Sequence, residues 1–255
     1  MTEPATEPAI VFSNVRKAYG ARAVLREVSL EIAKGARIGL IGPAATGKSV
    51  LCKLACGLEA PDAGEIRVLG ESIVGKREVE LGPLRRRMGM LFQNYALFDY
   101  LTVQANVAFP LEQRGGFTRE AIDARVMERL RAVGLAGSEW KLTGALSGGM
   151  KKRVGIARAT VADAEIVIYD EPTAGLDPVT TQKIYDLLAA DQARTGATVL
   201  AVSSDVVALA QFVDEIVFLY EGALLYRGPA RSISDADNPL VRQFVRGDLE
   251  GPLAS

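Results

Sequence analysis

Residues 42–49 read GPAATGKS, and this stretch decides the fold. It fits the pattern G-x-x-x-x-G-K-[ST], and it lies between an apolar run, Arg37–Ile41, and the helical pattern Ser49–Gly57. In such a loop the glycines let successive backbone N–H groups turn inward and form an anion-binding nest, and the following helix adds the positive end of its dipole. The stretch therefore predicts a strand, a phosphate-binding loop and a helix in succession.

The side chains at the end of this loop have predicted parts in binding a nucleoside triphosphate. Lys48 would reach the β- and γ-phosphates, and the Ser49 hydroxyl would bind Mg²⁺. The alternative interpretation is a glycine turn with a chance Lys-Ser pair. The residues of this stretch that we predict to contact a nucleotide are Gly42, Pro43, Ala44, Ala45, Thr46, Gly47, Lys48, Ser49 and Val50.

A second apolar run carries two adjacent carboxylates at its end. Ile166–Tyr169 is continuous and apolar, which is typical of a parallel strand covered on both faces, and Asp170 and Glu171 follow it. Ligands gather at the carboxyl ends of such strands. We expect Asp170 to support Mg²⁺, directly or through water, and Glu171 to orient or deprotonate an attacking water. Taken alone, a strand that ends in Asp-Glu-Pro could equally be a polar turn.

Strand and helix patterns alternate along the rest of the chain, and this alternation predicts a doubly wound α/β core. An antiparallel sheet is expected at the N-terminal end, from Ile10–Phe12 and Val28–Ile32. Further predicted strands are Gly64–Gly70, Met88–Phe92, Thr198–Val202 and Glu215–Tyr220. Predicted helices are Arg119–Val133, one that begins near Ser147, and Thr180–Ala193. Turns are expected at Gly222 and at Gly228–Pro229.

The composition excludes several classes of function. Thirty basic and 31 acidic residues give no strong positive field, so nucleic acid is not expected as a main partner. The sequence contains no histidine, which excludes His-dependent triads and His metal sites. Cys52 and Cys56 are too few for a zinc shell and are expected to be buried thiols. We expect neither a secretory signal, since the opening MTEPATEPA lacks a basic and an apolar segment, nor a membrane-spanning helix.

Residues 146–150 read LSGGM, shortly before the second apolar run. Ser147 is placed to cap a helix whose first N–H groups are left accessible by Gly148 and Gly149, which would make a second anion site. The alternative is an ordinary capped helix start. This segment resembles the signature sequence of ABC-type ATPases, and further matches follow in family order across nearly the whole chain.

The resemblance implies a P-loop ABC ATPase with a RecA-like core, an N-terminal antiparallel β subdomain and an inserted helical subdomain. It implies that Tyr19 stacks on adenine, that Gln93 links Mg²⁺ and water to a transmembrane partner, and that Asp177 crosses a dimer. Two subunits of such ATPases pack head to tail, so that the signature of one completes the phosphate loop of the other and ATP lies between them. We expect a disordered tail at 1–9, an ABC ATPase domain at 10–235 with its helical subdomain at about 95–160, and a C-terminal tail at 236–255.

The chain departs from the family pattern at two positions. Ser204 stands where ABC ATPases usually carry a histidine that contacts the γ-phosphate, and a serine hydroxyl cannot carry a positive charge. We therefore expect ATP binding and dimerisation with slow turnover. Met150 stands where the signature usually ends in glutamine, which leaves the backbone donors unchanged.

The stretch Met88–Leu111 and the late Asn238–Gly247 are similar to the ATPase of Mla-type systems, which belong with the lipid transporters that use Mce-domain proteins. This implies a peripheral subunit at the cytoplasmic face of the inner (plasma) membrane, which pairs with a transmembrane permease, a second copy of itself and an Mce-domain lipid-binding protein. The alternatives are an ABC ATPase for another cargo, such as an amino acid or a lipoprotein, and an ATP-dependent clamp with weak hydrolysis.

The same resemblance predicts two contacts with partners, one with the membrane subunit and one with the second copy of the chain. Family members accept a coupling helix of the membrane subunit at the edge of the helical subdomain, so an exposed subset of the aromatic residues there would mark the docking groove. The C-terminal tail would reach the other subunit, the alternative being a frayed end. The aromatic residues concerned are Phe92, Tyr95, Phe98, Tyr100 and Phe109. The apolar residues of the tail are Val241, Phe244 and Val245.

Overall fold

The structure is a computed structural model that describes residues 7–253. It divides into two compact units, one that joins the chain up to Leu81 to the chain from Thr198 onward, and one that spans Gly82–Ala197. Of the predicted tail at 1–9, residues 1–6 lie outside the described residues. Ala9 is fully buried, and its N–H donates to the Ile32 carbonyl at 2.8 Å.

Strands and helices follow each other along the described chain. The strands are β1 (Ile10–Tyr19), β2 (Arg22–Ile32), β3 (Arg37–Ile41), β4 (Ala63–Val68), β5 (Glu71–Ser72), β6 (Met88–Leu91), β7 (Ile166–Asp170), β8 (Thr198–Val202), β9 (Glu215–Tyr220) and β10 (Ala223–Pro229). The helices are α1 (Lys48–Ala55), α2 (Glu78–Arg85), α3 (Val103–Arg114), α4 (Arg119–Ala132), α5 (Gly148–Thr160), α6 (Pro178–Thr195), α7 (Val206–Phe212) and α8 (Pro239–Arg246), with short 3-10 turns at Thr143–Ala145 and Ala230–Asp235.

The first unit contains the predicted N-terminal antiparallel sheet, in the order β2-β1-β4-β5. Ile10 pairs with both Ile32 and Val68, and all three side chains are fully buried. Their neighbours along each strand alternate between buried and exposed, which is the pattern of a sheet with one face on a core. This part of the predicted fold class is confirmed.

A second group of strands in the first unit carries the loop that follows β3. β3 runs parallel to β8 and to β9, and Leu40 of β3 pairs with Val202 of β8. All five residues of β8 are buried, because parallel strands are covered on both faces. Gly39 is needed for this covering, since a Cβ there would lie 2.9 Å from the Leu209 side chain of α7. Because β3 and β8 run parallel and are paired, their carboxyl ends lie at the same edge of the sheet.

One turn prediction is half wrong. Gly222 lies in the turn between β9 and β10 with a φ of 79°, as predicted. Gly228 and Pro229, by contrast, belong to β10, where Pro229 pairs with Glu215 of β9. Proline is tolerated there because β10 is an edge strand, and the hairpin is further held by the Arg227 guanidinium, which donates to the Glu215 carboxylate at 2.6 Å.

The second unit packs four helices with two parallel strands. β6 pairs with β7, and Gly89 allows the α5 backbone to approach β6, since a Cβ there would lie 2.0 Å from the Ala159 carbonyl oxygen. Side-chain oxygens cap the four helices α3, α4, α5 and α6 by accepting from a backbone N–H three residues on; they belong to Thr102, Thr118, Ser147 and Asp177. The predicted helix start near Ser147 is thereby confirmed.

A buried ion pair ties two of these helices together. The Arg129 guanidinium of α4 donates to the Asp191 carboxylate of α6, and both side chains are almost fully buried. Asp191 also contacts Arg194, which pairs with Asp163 at 2.6 Å. Burial, reinforced by the charge of Asp191, raises the pKa of the Tyr169 hydroxyl on β7. Tyr169, which precedes Asp170 on β7, therefore lies near the charged pair of Arg129 and Asp191.

The C-terminal helix packs on its own chain. Val241 of α8 is fully buried, and the Phe244 ring meets Phe218 of β9 edge-on, with ring centroids 5.3 Å apart. Cys52 of α1 and Cys56, which caps the end of that helix, are buried, as predicted. Within residues 7–253, none of the helices combines the length and apolar character that a bilayer crossing requires.

Candidate functional site

Two glycines fix the loop between β3 and α1. Gly42 has a φ of 146°, and a Cβ there would lie 2.1 Å from the Leu219 carbonyl oxygen. Gly47 has a φ of 107°, and a Cβ there would lie 2.8 Å from Leu25 and 3.1 Å from the Val24 carbonyl oxygen. Both positions therefore exclude a side chain, through backbone conformation and through space. These are the two glycines of the G-x-x-x-x-G-K-[ST] pattern.

The loop curls around the ammonium group of Lys48. The Lys48 Nζ donates to the carbonyls of Gly42 and Pro43, both at 2.7 Å, and the Thr46 hydroxyl donates to Pro43 at 2.9 Å. Lys48 is also the first residue of α1, and Ser49 is half-buried in the same turn. A lysine, the backbone donors of the loop and a helix N-terminus thus converge on one place, which is an arrangement that binds phosphate groups.

Ser204 follows the strand next to this loop. Leu40 and Val202 are paired, so that Ser204, two residues after Val202, lies at the same sheet edge as Gly42. Its neighbours are fixed: the Ser203 hydroxyl accepts from the Asp205 N–H at 3.1 Å, and Asp205 caps α7 by accepting from Ala208 at 3.0 Å. Ser204 itself is exposed at this edge.

Tyr19 ends β1 with its ring about half exposed, at 48%. Its hydroxyl donates to the Glu59 carboxylate, and the Lys17 ammonium lies 5.5 Å from the ring centroid. Partial burial, together with the bond to Glu59, raises the pKa of Tyr19 to about 12, so the phenol stays neutral at physiological pH. A neutral, half-exposed ring of this kind can stack on a purine base.

The two predicted carboxylates lie in the second unit, at the end of β7. Asp170 is buried as the last strand residue, and Glu171 follows in the left-handed region with a φ of 57°. Leu91 of β6 pairs with Tyr169 of β7, so Gln93 and Glu171 follow neighbouring parallel strands at one edge. Non-glycine residues with positive φ are strained. Glu171 shares this conformation with other residues, among them Asn14 and Glu27, so its predicted role rests on its place after β7.

The LSGGM segment has the geometry of an accessible helix N-terminus. The Ser147 hydroxyl accepts from the Met150 N–H at 3.4 Å, and Ser147 and Gly148 are exposed. A Cβ on Gly148 would lie 3.9 Å from the Tyr95 hydroxyl, and one on Gly149 would lie 3.6 Å from Leu176, both ordinary contact distances. Neither residue has a positive φ. Packing within this chain therefore does not explain why these two positions are glycine.

Asp177 opens α6 and is exposed. Its carboxylate accepts from the Thr180 hydroxyl at 2.6 Å and from the Thr180 N–H at 2.9 Å, and these bonds lower the pKa of Asp177. The carboxylate therefore remains charged to lower pH than an ordinary aspartate.

The predicted site residues are distributed over both units. The first unit holds Tyr19, the loop 42–50 and Ser204, and it brings the loop and Ser204 to one edge. The second unit brings Gln93 and Glu171 to one edge and presents the Ser147 and Asp177 caps.

Sequence reasoning missed two charged residues that hold predicted site residues. Glu59 accepts the hydrogen bond of the Tyr19 hydroxyl. The buried Lys152 interacts electrostatically with Glu171. Each partner comes from a different segment of the chain, so no local pattern could have indicated either contact.

Comparison with known proteins agrees with this geometry. The family model described as "ABC transporter" matches residues 25–174, which include the phosphate loop, LSGGM and the β7 carboxylates. The chain belongs to the ABC transporter family. As a member of the family, it is an ATPase that binds ATP, and ABC cassettes dimerise and pair with transmembrane permeases.

Curated relatives extend the match along most of the chain. "Protein TRIGALACTOSYLDIACYLGLYCEROL 3, chloroplastic" of Arabidopsis thaliana is 39% identical over 257 residues, covering 94% of this chain and 74% of that protein. "Probable ribonucleotide transport ATP-binding protein mkl" of Mycobacterium leprae is 38% identical over 245 residues, covering 96% and 71%. The names of these ABC proteins point to different cargoes.

A solved structure gives the same fold. "Dimeric Structure of MJ0796, a Bacterial ABC Transporter Cassette" matches with a TM-score of 0.83 and 31% identity, covering 87% of this chain and 99% of that one. The same cassette has been solved in "a post-hydrolysis state" bound to ADP and Pi, and it matches equally well, with a TM-score of 0.83. The predicted ABC ATPase fold is confirmed.

Proposed function

We propose that this chain is the ATP-hydrolysing subunit of a transporter that moves phospholipid or a related lipid between membranes. It would work at the cytoplasmic face of the inner (plasma) membrane with a transmembrane permease, a second copy of itself and an Mce-domain lipid-binding protein. The similarity to a relative named after a galactolipid supports the cargo, as does the resemblance of Met88–Leu111 to Mla-type ATPases.

The observation that carries the proposal is an apolar groove of about 280 Å³ in the second unit. It lies between β6, α3 and α5, beside the strand that leads to Gln93. Three of the five singled-out aromatic residues, all half-buried, line it: Phe92, Phe98 and Phe109. The Phe98 and Phe109 rings pack with centroids 5.1 Å apart, so the groove is preformed. An apolar groove of this kind fits the side chains of one amphipathic helix, such as a coupling helix of a permease.

A charge placed in the groove is expected to detach the permease. Phe109→Glu should lower recovery of the permease with the tagged chain, from detergent-solubilised native membranes, by about 10-fold or more, because burying an unpaired carboxylate costs several kcal/mol. ATP binding should be unchanged. Val79→Glu on α2 is the control, since Val79 is 73% exposed and lies outside the groove. Equal recovery from both variants would show that the groove is not the docking site.

The cargo itself is tested on the purified complex. Extraction and mass spectrometry should find phospholipid bound in stoichiometric amount, together with an Mce-domain protein. A complex that lacks bound lipid, and whose ATP turnover responds to an amino acid, a ribonucleotide or a lipoprotein, would contradict lipid transport and leave the ATPase assignment intact.

The nucleotide is proposed to be held by the loop 42–50, with Tyr19 against the base and Lys48 at the β- and γ-phosphates. The donor set offered to Mg²⁺ is the Ser49 hydroxyl, the Asp170 carboxylate and the Gln93 amide oxygen, and these oxygen ligands suit that ion. Residues 7–253 contain no cluster of three or more acidic, Cys or His ligands. Mg²⁺ suits one carboxylate and neutral oxygens because it keeps several waters and also binds phosphate oxygens. When bound, it would neutralise charge on the phosphates.

The chain's own residues supply the remaining steps. Glu171 would orient the attacking water and accept its proton, at the strained turn after β7. Ser147, Gly148 and Gly149 would present helix N–H groups to the γ-phosphate of ATP held by a second copy, and Asp177 would cross the same interface. In the C-terminal tail, Leu249 is 92% exposed and could contact the second copy, whereas Val241 is buried in its own chain.

A second candidate function is an ATP-dependent clamp with weak hydrolysis, and the exposed Ser204 favours it. Ser204→His should raise steady-state phosphate release about 10-fold, because a charge-assisted hydrogen bond to the γ-phosphate contributes about 1.5–3 kcal/mol. Ser203→Ala is the control, since Ser203 is buried and its hydroxyl accepts from the Asp205 N–H of the local turn. An unchanged rate in Ser204→His would mean that the serine already supports full turnover.

A further inference from the structure

Lys152 is a buried cation that none of the roles above uses. It lies on α5, five residues after Ser147, and is only 3% exposed. Burial disfavours the charged form and lowers the pKa of Lys152, an effect that the charge of Glu171 opposes. Lysine is almost never buried to this extent without a specific partner. The adjacent Lys151, in contrast, is half-buried and approaches the exposed Asp99 at 3.6 Å.

The Lys152 ammonium lies between two segments that come from different parts of the chain. It donates to the Ala174 carbonyl in the loop between β7 and α6. It also lies 5.8 Å from the centroid of the Tyr95 ring, in the turn after Gln93. The charge of Glu171, which opens the same loop as Ala174, also favours the charged form of this lysine. The Lys152 side chain thus contacts both the turn after Gln93 and the loop that begins at Glu171. Both segments carry predicted site residues of the second unit.

Arg158, a second cation on α5, binds the turn after β6. The Arg158 guanidinium donates to the carbonyls of Tyr95 at 2.6 Å and Ala96 at 2.7 Å, and both residues have positive φ, 61° and 47°. Between the two cations, Gly155 lets α5 approach β6, since a Cβ there would lie 2.6 Å from the Leu91 side chain. The turn after β6 is therefore held against α5 by Arg158, on the same helix as Lys152.

We propose that Lys152 is a positioning residue, which fixes the loop that Glu171 opens through the Ala174 carbonyl and so sets the orientation of the Glu171 carboxylate relative to α5, the helix that Ser147 caps. The proposal rests on the role proposed above for Glu171. A displacement of the α5 N-terminus by a bound triphosphate would move the Lys152 ammonium and with it the carboxylate. The state of the LSGGM segment would thereby be transmitted to the group that handles water.

Lys152→Met distinguishes positioning from packing, because methionine keeps the apolar volume and removes the charge. We expect kcat for phosphate release to fall about 10- to 100-fold, as for a misplaced catalytic group, with little change in KM for ATP. ATP-dependent dimerisation and Tm should stay near wild type. Lys152→Arg should recover most of kcat, since it restores the cation. Lys151→Met, one residue away, is the matched control and should behave as wild type.

The possible results distinguish a positioning role of Lys152 from a structural one. Wild-type kcat in Lys152→Met would overturn the proposal, as would a parallel loss of Tm and dimerisation, which indicates a structural lysine. If Lys152→Met does not fold, Lys152→Gln takes its place, and failure of both variants to fold also assigns a structural role. Glu171→Gln, measured alongside, separates the two proposals. Full turnover in that variant would remove the role of Glu171, whereas a large loss there with none in Lys152→Met removes only the role of Lys152.

Discussion

Glu171→Gln is expected to lower steady-state phosphate release by about 10²- to 10⁴-fold, the usual contribution of a positioned general base. The amide keeps the size of the side chain but cannot accept a proton from water. Because the substitution leaves the phosphate loop and the LSGGM segment unchanged, ATP should still bind and should hold the dimer for longer. Phosphate release and sizing with and without ATP are the two measurements.

Glu165→Gln is the matched control for this variant. Glu165 precedes β7, whereas Glu171 follows it, and its carboxylate pairs with the Arg87 guanidinium at 2.6 Å on a partly exposed surface. An exposed ion pair contributes about 0–1 kcal/mol, so turnover should be unaffected. If Glu171→Gln and Glu165→Gln hydrolyse ATP at the same rate, another group must activate the water, and Glu171 has no catalytic role.

Gly149→Ala is expected to weaken ATP-dependent dimerisation by about 100-fold or more, while the monomer keeps or gains stability. Within the chain an added Cβ would meet only ordinary contacts, the nearest at 3.6 Å, and alanine in a helix is favoured over glycine by about 0.4–1 kcal/mol. The methyl group would instead obstruct the approach of a phosphate to the exposed N–H groups of α5. Analytical ultracentrifugation with ATP, in the Glu171→Gln background, measures dimerisation, and urea unfolding measures stability.

Gly82→Ala on α2 controls for the helical effect. Gly82 also has no positive φ, and its nearest neighbour to an added Cβ is the Arg86 guanidinium at 3.7 Å. Because Gly82 precedes Pro83, whose ring crowds the Cβ of a helical residue before it, the gain in stability should be smaller, and the variant should dimerise normally. Dimerisation of Gly149→Ala at the wild-type ATP concentration would show that the LSGGM segment does not contact nucleotide across subunits.

Local patterns were sufficient wherever one segment determines its own structure. The loop 42–49 needs two glycines for its own backbone, and Ser147 caps its own helix, so both could be predicted from short stretches. The apolar run Ile166–Tyr169 is buried as predicted, because no polar residue interrupts it. The helices α2 and α3 were missed, and each contains a proline, Pro83 and Pro110, which weakens a helical pattern in the sequence.

Contacts between distant segments could not be predicted in the same way. Lys152 is one of several basic residues on α5, and only the packing of Ala174 and Tyr95 against it shows that it is buried. The hydrogen bond between Tyr19 and Glu59 and the lining of the aromatic groove also depend on residues that folding brings together. The roles of Glu171, Ser204 and Gly149 are predictions that the variants above test.

The exposed Ser204 turn also has a spectroscopic use. Because the sequence contains no histidine, Ser204→His would introduce the sole imidazole of the protein. Its ring proton resonances would appear in a region of the NMR spectrum without overlap from other imidazoles. Titration of that one signal with and without ATP would show whether nucleotide changes the charge near this turn.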